Sequence, residues 1–229
     1  MREKESIKIH GDSISTHWEF QKKGYPVYYD EWTAEKNGLM SYRDCWWWPV
    51  SVQLAMKNIT IAKIENYSYS GSFVTGSEFP SGASDQRIRE MKNPYFNCAF
   101  ILIYMGFNDF GRRVPVWPEP GKEDFYSAYV KMLQKMKEQF PRAQILPATL
   151  LMTESDIHPR WRFPDEDRFY EFNKAIRTAS LICDCTLVDL AASGVRLPAI
   201  DRDHTHPDVT GHCLLAQCWI DQLKKKHVL

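Results

Sequence analysis

The chain has 229 residues, 44% of them apolar and 25% charged, so it can bury a substantial core and is short for two domains. Lys and Arg together number 29, as do Asp and Glu, giving a formal net charge of zero. That balance excludes the basic footprint a nucleic-acid binder needs. The longest apolar run, Ala99 to Met105, is too short to span a membrane.

The predicted elements alternate in kind along the chain. Met1 to Glu5 is highly charged, and the first strand centres on Ile7 to Ile9. No apolar segment precedes that strand, so no secretory signal is read and a cytoplasmic location is expected. Thr16 to Cys45 is long and irregular. A helix is predicted from Trp48 to Lys57, with Pro49 in its first turn. The second strand, Ile59 to Ile64, is rich in β-branched residues. The third, Ala99 to Met105, is almost wholly apolar, as a strand buried on both faces should be. Phe110 to Gly121 is again irregular and holds three prolines. Phe125, Tyr129, Met132, Leu133, Met136 and Phe140 then fall at helical spacing, until Pro141 ends the helix. Gln144 to Leu150 and Thr186 to Leu190 read as fourth and fifth strands. Between them a helix runs from Asp165 to Leu181, and a last one from about Thr210 to Lys225. The run Lys224 to Lys226 complements the dipole at that helix's end.

Such alternation implies one three-layer α/β/α domain over residues 1–229, with a five-stranded, mostly parallel, flavodoxin-like sheet. In such sheets functional groups gather at the carboxyl ends of the strands. The six cysteines (Cys45, Cys98, Cys183, Cys185, Cys213 and Cys218) form no Cys-x-x-Cys pair and read as reduced thiols.

Four short segments carry chemistry. Gly11-Asp12-Ser13 follows the first strand, where a small residue before a serine can expose its hydroxyl and backbone N–H. Taken alone, Asp and Ser there read equally as helix caps. Gly71, after the second strand, can offer its N–H without a side chain in the way. Asn108, in Gly106-Phe107-Asn108-Asp109 after the third strand, can project its amide or cap a turn. Asp203-His204-Thr205-His206-Pro207 precedes the last helix. A carboxylate three residues before a histidine can reach Nδ1, orient the ring and leave Nε2 free for a proton. Together the segments supply a nucleophile, a base, an orienting acid and oxyanion donors, the parts that acyl transfer needs.

In order and content these blocks resemble the SGNH hydrolase family, the GDSL-type esterases and lipases. The match covers Gly-Asp-Ser, the single glycine, Gly-x-Asn-Asp and Asp-x-x-His-Pro, spanning residues 11 to 207. The fourth residue of the first block, often Leu in the family, is Ile14 here. The resemblance implies Ser13 as nucleophile, His206 as general base and Asp203 as its partner. It implies the N–H groups of Ser13 and Gly71, with the Asn108 side chain, as the oxyanion hole, and it implies no cofactor. Asp201 and His204 repeat the Asp-x-x-His spacing, but Pro207 and Gly211 fit the family's ending only with His206 as base.

Aromatic residues cluster beside these blocks in Gly24-Tyr25-Pro26-Val27-Tyr28-Tyr29 and in Cys45-Trp46-Trp47-Trp48-Pro49. Trp47 and Trp48 are expected to pack the following helix. Trp46 is the candidate to line a pocket, and Tyr28, Trp47 and Phe107 complete the expected substrate-binding set. A site flanked by such rings leans toward a carbohydrate ester among small ester substrates. Exposed aromatics suit a homodimer contact equally well. Two rival readings are an inactive carbohydrate-binding module on the same fold and a metal-dependent hydrolase using the ending rich in His and Asp.

Overall fold

Two strands form the middle of the sheet, and both are almost wholly buried. The structure is a computed structural model that describes residues 4–153, 166–198 and 205–229. Strand β1 (Glu5–Gly11) lies between β2 (Ile61–Asn66) and β3 (Asn97–Tyr104), and β4 (Gln144–Pro147) pairs with the far side of β3. All three pairings are parallel, in the order β2-β1-β3-β4. The register sets Ile9 against both Asn66 and Leu102. Strand β2, with a partner on one side only, leaves Ala62 and Lys63 exposed. Interior strand β1 carries one buried cation, Lys8, whose Nζ meets Glu65 Oε2 on β2 at 2.5 Å.

The expected fifth strand is not a strand. Residues 186–190 do run beside β4, with Thr186 N–H donating to Ile145 and Val188 N–H to Pro147. Only the bridge between Ala148 and Val188 satisfies ladder geometry there. Pro147 presents its carbonyl to this segment but has no N–H to donate alongside it. A 3-10 turn at Leu190–Ser193 then carries the chain away. Among the described residues the sheet thus has four strands rather than five, and the parallel α/β architecture stands.

Helices flank the sheet. Helix α2 (Trp47–Lys57) packs with α7 (Val209–Lys225). Helix α5 (Phe125–Gln139) packs with α6 (Glu166–Ile182) and with the short α3 (Asp85–Glu90). Two further short helices, α1 (Glu31–Lys36) and α4 (Phe107–Gly111), lie in stretches the sequence reading left irregular or assigned to a strand end. Each of α1 and α3 starts at a side-chain cap: Asp30 accepts from Thr33 N–H and Ser84 from Arg87 N–H. The six cysteines form no disulfide. Among the described residues, no helix is long and apolar enough to cross a membrane.

Candidate active site

The carboxyl end of β1 turns at once into a 3-10 turn, Ser13–Ser15. Asp12 caps this turn by accepting from Ile14 N–H at 3.2 Å. Gly11 is required for the bend. A Cβ there would lie 2.5 Å from Ser15 Oγ and 2.8 Å from Ser15 Cβ. Ser13 is left 7% exposed. Burial pushes the Asp12 carboxyl up to about 6, against the pull of Ile14 N–H and the His206 ring.

The second segment continues beside β1 past the end of β2. Tyr67 N–H donates to Ile9 and Tyr69 N–H to Gly11. This carries Gly71 to the same sheet end, at φ +77°, a conformation that side chains disfavour. The third segment leaves β3 through Gly106, at φ +137°, and enters α4. Asn108 on α4 donates from Nδ2 to Ser72 O at 2.9 Å, the carbonyl directly after Gly71. An amide nitrogen has a second hydrogen to offer. Asp109 is fully buried and accepts from Val74 N–H, Thr75 N–H and Thr75 Oγ1 at 2.8, 3.0 and 2.7 Å. The Gly71 loop and the Asn108 turn are therefore one hydrogen-bonded unit.

His206 arrives from the loop before α7. Its Nε2 stands 2.6 Å from Ser13 Oγ, across 193 residues of chain. Two tyrosines fix that loop. The Tyr28 ring lies flat on the imidazole, centroids 3.3 Å apart and planes 8° from parallel. Tyr29 donates its hydroxyl to Pro207 O at 2.7 Å. The same tyrosine loop is tied to the serine turn, because Thr16 Oγ1 donates to Ser13 O and accepts from Tyr28 N–H. Asp208 caps α7 by accepting from Gly211 N–H at 2.8 Å. Gly211 is needed because a Cβ would meet Pro207 at 2.6 Å.

Of the expected site residues, Ser13, His206, Gly71 and Asn108 come to one end of the sheet. Asp203, with Asp201 and His204, lies outside the described residues. Trp46 and Trp47 do not line a pocket: both are fully buried. Trp46 stacks on Trp219 at 4.9 Å and donates from Nε1 to Ser15 Oγ. Trp47 packs on Phe20. Large rings at the start of α2 gain more by packing into the core than by facing water. Phe107 is half-buried against Tyr104 and Phe169. Tyr28 touches the histidine itself. Sequence reasoning missed Thr16, Tyr29 and Asp109, which hold the reactive groups without belonging to them. For Asp109 the signal was present, since it ends the Gly-x-Asn-Asp block. Among the described residues, no group of three His, Cys, Asp or Glu side chains could hold a metal ion.

A serine hydroxyl hydrogen-bonded to an imidazole, beside a glycine N–H and an amide, can attack a carbonyl and stabilise the resulting oxyanion. Solved structures share this fold. A protein from Bacteroides ovatus assigned as a GDSL-like lipase is 19% identical, with TM-score 0.65, the match covering 98% of this chain and 100% of that one. Another such assignment, from Parabacteroides merdae, is 20% identical, with TM-score 0.64, over 98% and 97% of the two chains. Est24, a carbohydrate acetylesterase from Sinorhizobium meliloti, is 13% identical, with TM-score 0.64, over 99% and 100%. At these identities the likeness carries the fold, that of the SGNH and GDSL hydrolases. The sequence itself matches the GDSL-like lipase/acylhydrolase family over residues 5–224, and the chain belongs to that family. Membership implies a hydrolase. No curated protein matches the sequence.

Proposed function

We propose that the protein is a serine hydrolase of carboxylic esters, with Ser13 as nucleophile and His206 as general base. The observation that carries this reading is the 2.6 Å contact between His206 Nε2 and Ser13 Oγ at the carboxyl end of the sheet. His206 takes the Ser13 proton as Oγ bonds to the ester carbonyl carbon. The carbonyl oxygen becomes an oxyanion, met by the N–H groups of Ser13 and Gly71 and by the second Asn108 amide hydrogen. The carbon–oxygen ester bond then breaks, and the leaving alcohol takes the proton from Nε2. Water repeats the sequence on the acyl-enzyme and releases the acid. Asp203, three residues before His206, orients the imidazole in this scheme. The alcohol portion is proposed to be a carbohydrate and the acyl group an acetyl. The Tyr28 and Phe107 rings near the site support a sugar-facing wall, and the fold neighbour Est24 is named for that activity.

Hydrolysis of p-nitrophenyl acetate, butyrate and octanoate by wild type and Ser13→Ala, with an acetylated oligosaccharide alongside, tests both levels. The expected result is activity abolished in Ser13→Ala, acetate preferred, and acetate released from the sugar. Equal activity in the two proteins would refute the serine mechanism. A preference for octanoate would refute the acetyl assignment alone.

A further inference from the structure

A guanidinium sits directly behind the oxyanion donors, and nothing in the acyl-transfer scheme uses it. Arg87, on α3, is fully buried. Arginine in an interior ordinarily pairs with a carboxylate, because an uncompensated buried charge is costly. All of the hydrogen bonds given by Arg87 go instead to uncharged oxygens. Nη1 donates to Ser72 Oγ at 2.8 Å and to Pro80 O at 2.7 Å. Nη2 donates to Gly11 O at 2.5 Å and to Tyr67 O at 3.2 Å. Burial lowers its pKa to about 10, which leaves it charged at neutral pH.

The acceptors are not scattered. Gly11 is two residues before Ser13 and forms the base of the serine turn. Ser72 directly follows Gly71, and its carbonyl receives the Asn108 amide. One planar fork therefore grips the segments that bring Ser13 and Gly71, which follow β1 and β2, and Asn108 from the end of β3 is tied to the second of them through Ser72 O. Guanidinium geometry is fixed, so contacts to both nitrogens set the distance between the two strand ends it joins. An oxyanion hole accelerates a reaction only if its donors are already in place when charge develops.

We propose that Arg87 is a positioning residue of the oxyanion hole, holding the Gly11–Ser13 turn and the Gly71–Ser72 loop at the separation the tetrahedral intermediate requires. The inference rests on the serine-esterase reading. It separates Arg87 from an arginine that merely fills the core, because a structural filler changes how much protein is folded and not how fast each folded site turns over.

The test counts active sites by the burst of p-nitrophenol from an organophosphonate and expresses kcat per titrated site for wild type, Arg87→Met, Arg87→Lys and Ser72→Ala. Misplacing donors by a fraction of an ångström to an ångström costs roughly tenfold to a hundredfold in rate. Arg87→Met and Arg87→Lys are expected to lose about tenfold or more in kcat per site, with KM within about twofold. Ser72→Ala, which removes a single anchor and leaves the core filled, is expected to lose a few-fold with KM again unmoved. The rate of phosphonylation should fall in parallel, because the phosphonyl oxygen occupies the same hole. If Arg87→Met yields no folded protein, Arg87→Lys and Ser72→Ala decide. Wild-type kcat per titrated site in both, with only the melting temperature lowered, overturns the inference. Loss that appears wholly in KM overturns it too. Absence of any Ser13-dependent turnover in wild type overturns the esterase reading itself, and this one with it.

Discussion

Replacing His212 by asparagine should make the protein less sensitive to acid. His212 lies in the first turn of α7, fully buried, with its Nδ1 accepting from Trp46 N–H at 3.1 Å and Tyr29 meeting its ring edge-on. Protonation would take away that acceptor and create a buried cation. Burial first, then the nearby His206 and His17, hold its pKa down to about 3, against 6.5 for an ordinary histidine. Between those values the folded chain binds fewer protons at this site than the unfolded chain, so stability falls as pH drops below 6.5. From 6.5 to 5 is 1.5 units, and at about 1.36 kcal/mol per unit the loss is about 2 kcal/mol. Asp12 works the other way. With its pKa raised to about 6, its contribution is complete below 3.8 and is lost as pH rises through 6. Comparing wild type with His212→Asn cancels that term. Asparagine keeps an acceptor near the position of Nδ1 and cannot titrate. Urea unfolding of both proteins at pH 7 and pH 5, read by tryptophan fluorescence, should give a stability difference that moves by about 2 kcal/mol in favour of the variant at the lower pH. A difference that stays constant to about 0.5 kcal/mol would refute the reasoning, by showing that the folded His212 titrates as it does in the unfolded chain. The consequence for enzymology is direct. Loss of the proposed esterase activity in acid will contain an unfolding component from a histidine other than the proposed base, and only rates per titrated site will separate the two.

Two further outcomes follow from the geometry. Tyr28→Ala removes the ring lying on His206, and a stacked contact worth roughly 1–2 kcal/mol when the imidazole is charged in the transition state predicts a loss of about five- to thirtyfold in kcat. Tyr28→Phe keeps the ring and should keep most of the rate; an equal loss in both variants on p-nitrophenyl acetate would remove the stack from the explanation. Gly11→Ala drives a methyl to 2.5 Å from Ser15 Oγ and 2.8 Å from Ser15 Cβ, and should cost about 1–3 kcal/mol of stability. Adding Ser15→Gly removes both crowded atoms, so the double variant should lose less than the sum of the two single losses in urea unfolding, and strict additivity would show that the turn yields without strain.

What was readable in the sequence and what was not divide along a physical line. Ala99 to Met105 reads as an interior strand because burial on both faces leaves no room for polar residues, and three of the four blocks stand out because each follows a predicted strand. Helices α2, α5, α6 and α7 announce themselves through apolar spacing and through stops such as Pro141. The short helices α1 and α3 have no such period, since six residues make fewer than two turns. Only their caps, Asp30 and Ser84, mark them. The fifth strand misled because Thr186 to Leu190 has the right composition, whereas its failure is set by a partner: Pro147 on β4 has no N–H to give.

The tryptophans and Arg87 invert the usual expectation, and for one reason. Trp46, and with it Trp47, entered the expected substrate-binding set as part of an aromatic cluster, and Arg87 carried no assignment in the sequence. In the structure Trp46 packs on Trp219 and Trp47 on Phe20, both inside the core, while the guanidinium bonds to Gly11 and Ser72. Gly11 O, Tyr67 O, Ser72 Oγ and Pro80 O come together where two parallel strands diverge, and such acceptors need donors beyond those the sheet supplies. Tyr69 N–H reaches Gly11 O, but Ser72 Oγ and Pro80 O remain to be met. A site that must stay open toward substrate cannot admit water behind its donors without losing their rigidity. A buried arginine provides several hydrogens from one fixed plane and excludes that water. The need arises only when the strand ends are assembled, which is why no local pattern in the sequence records it.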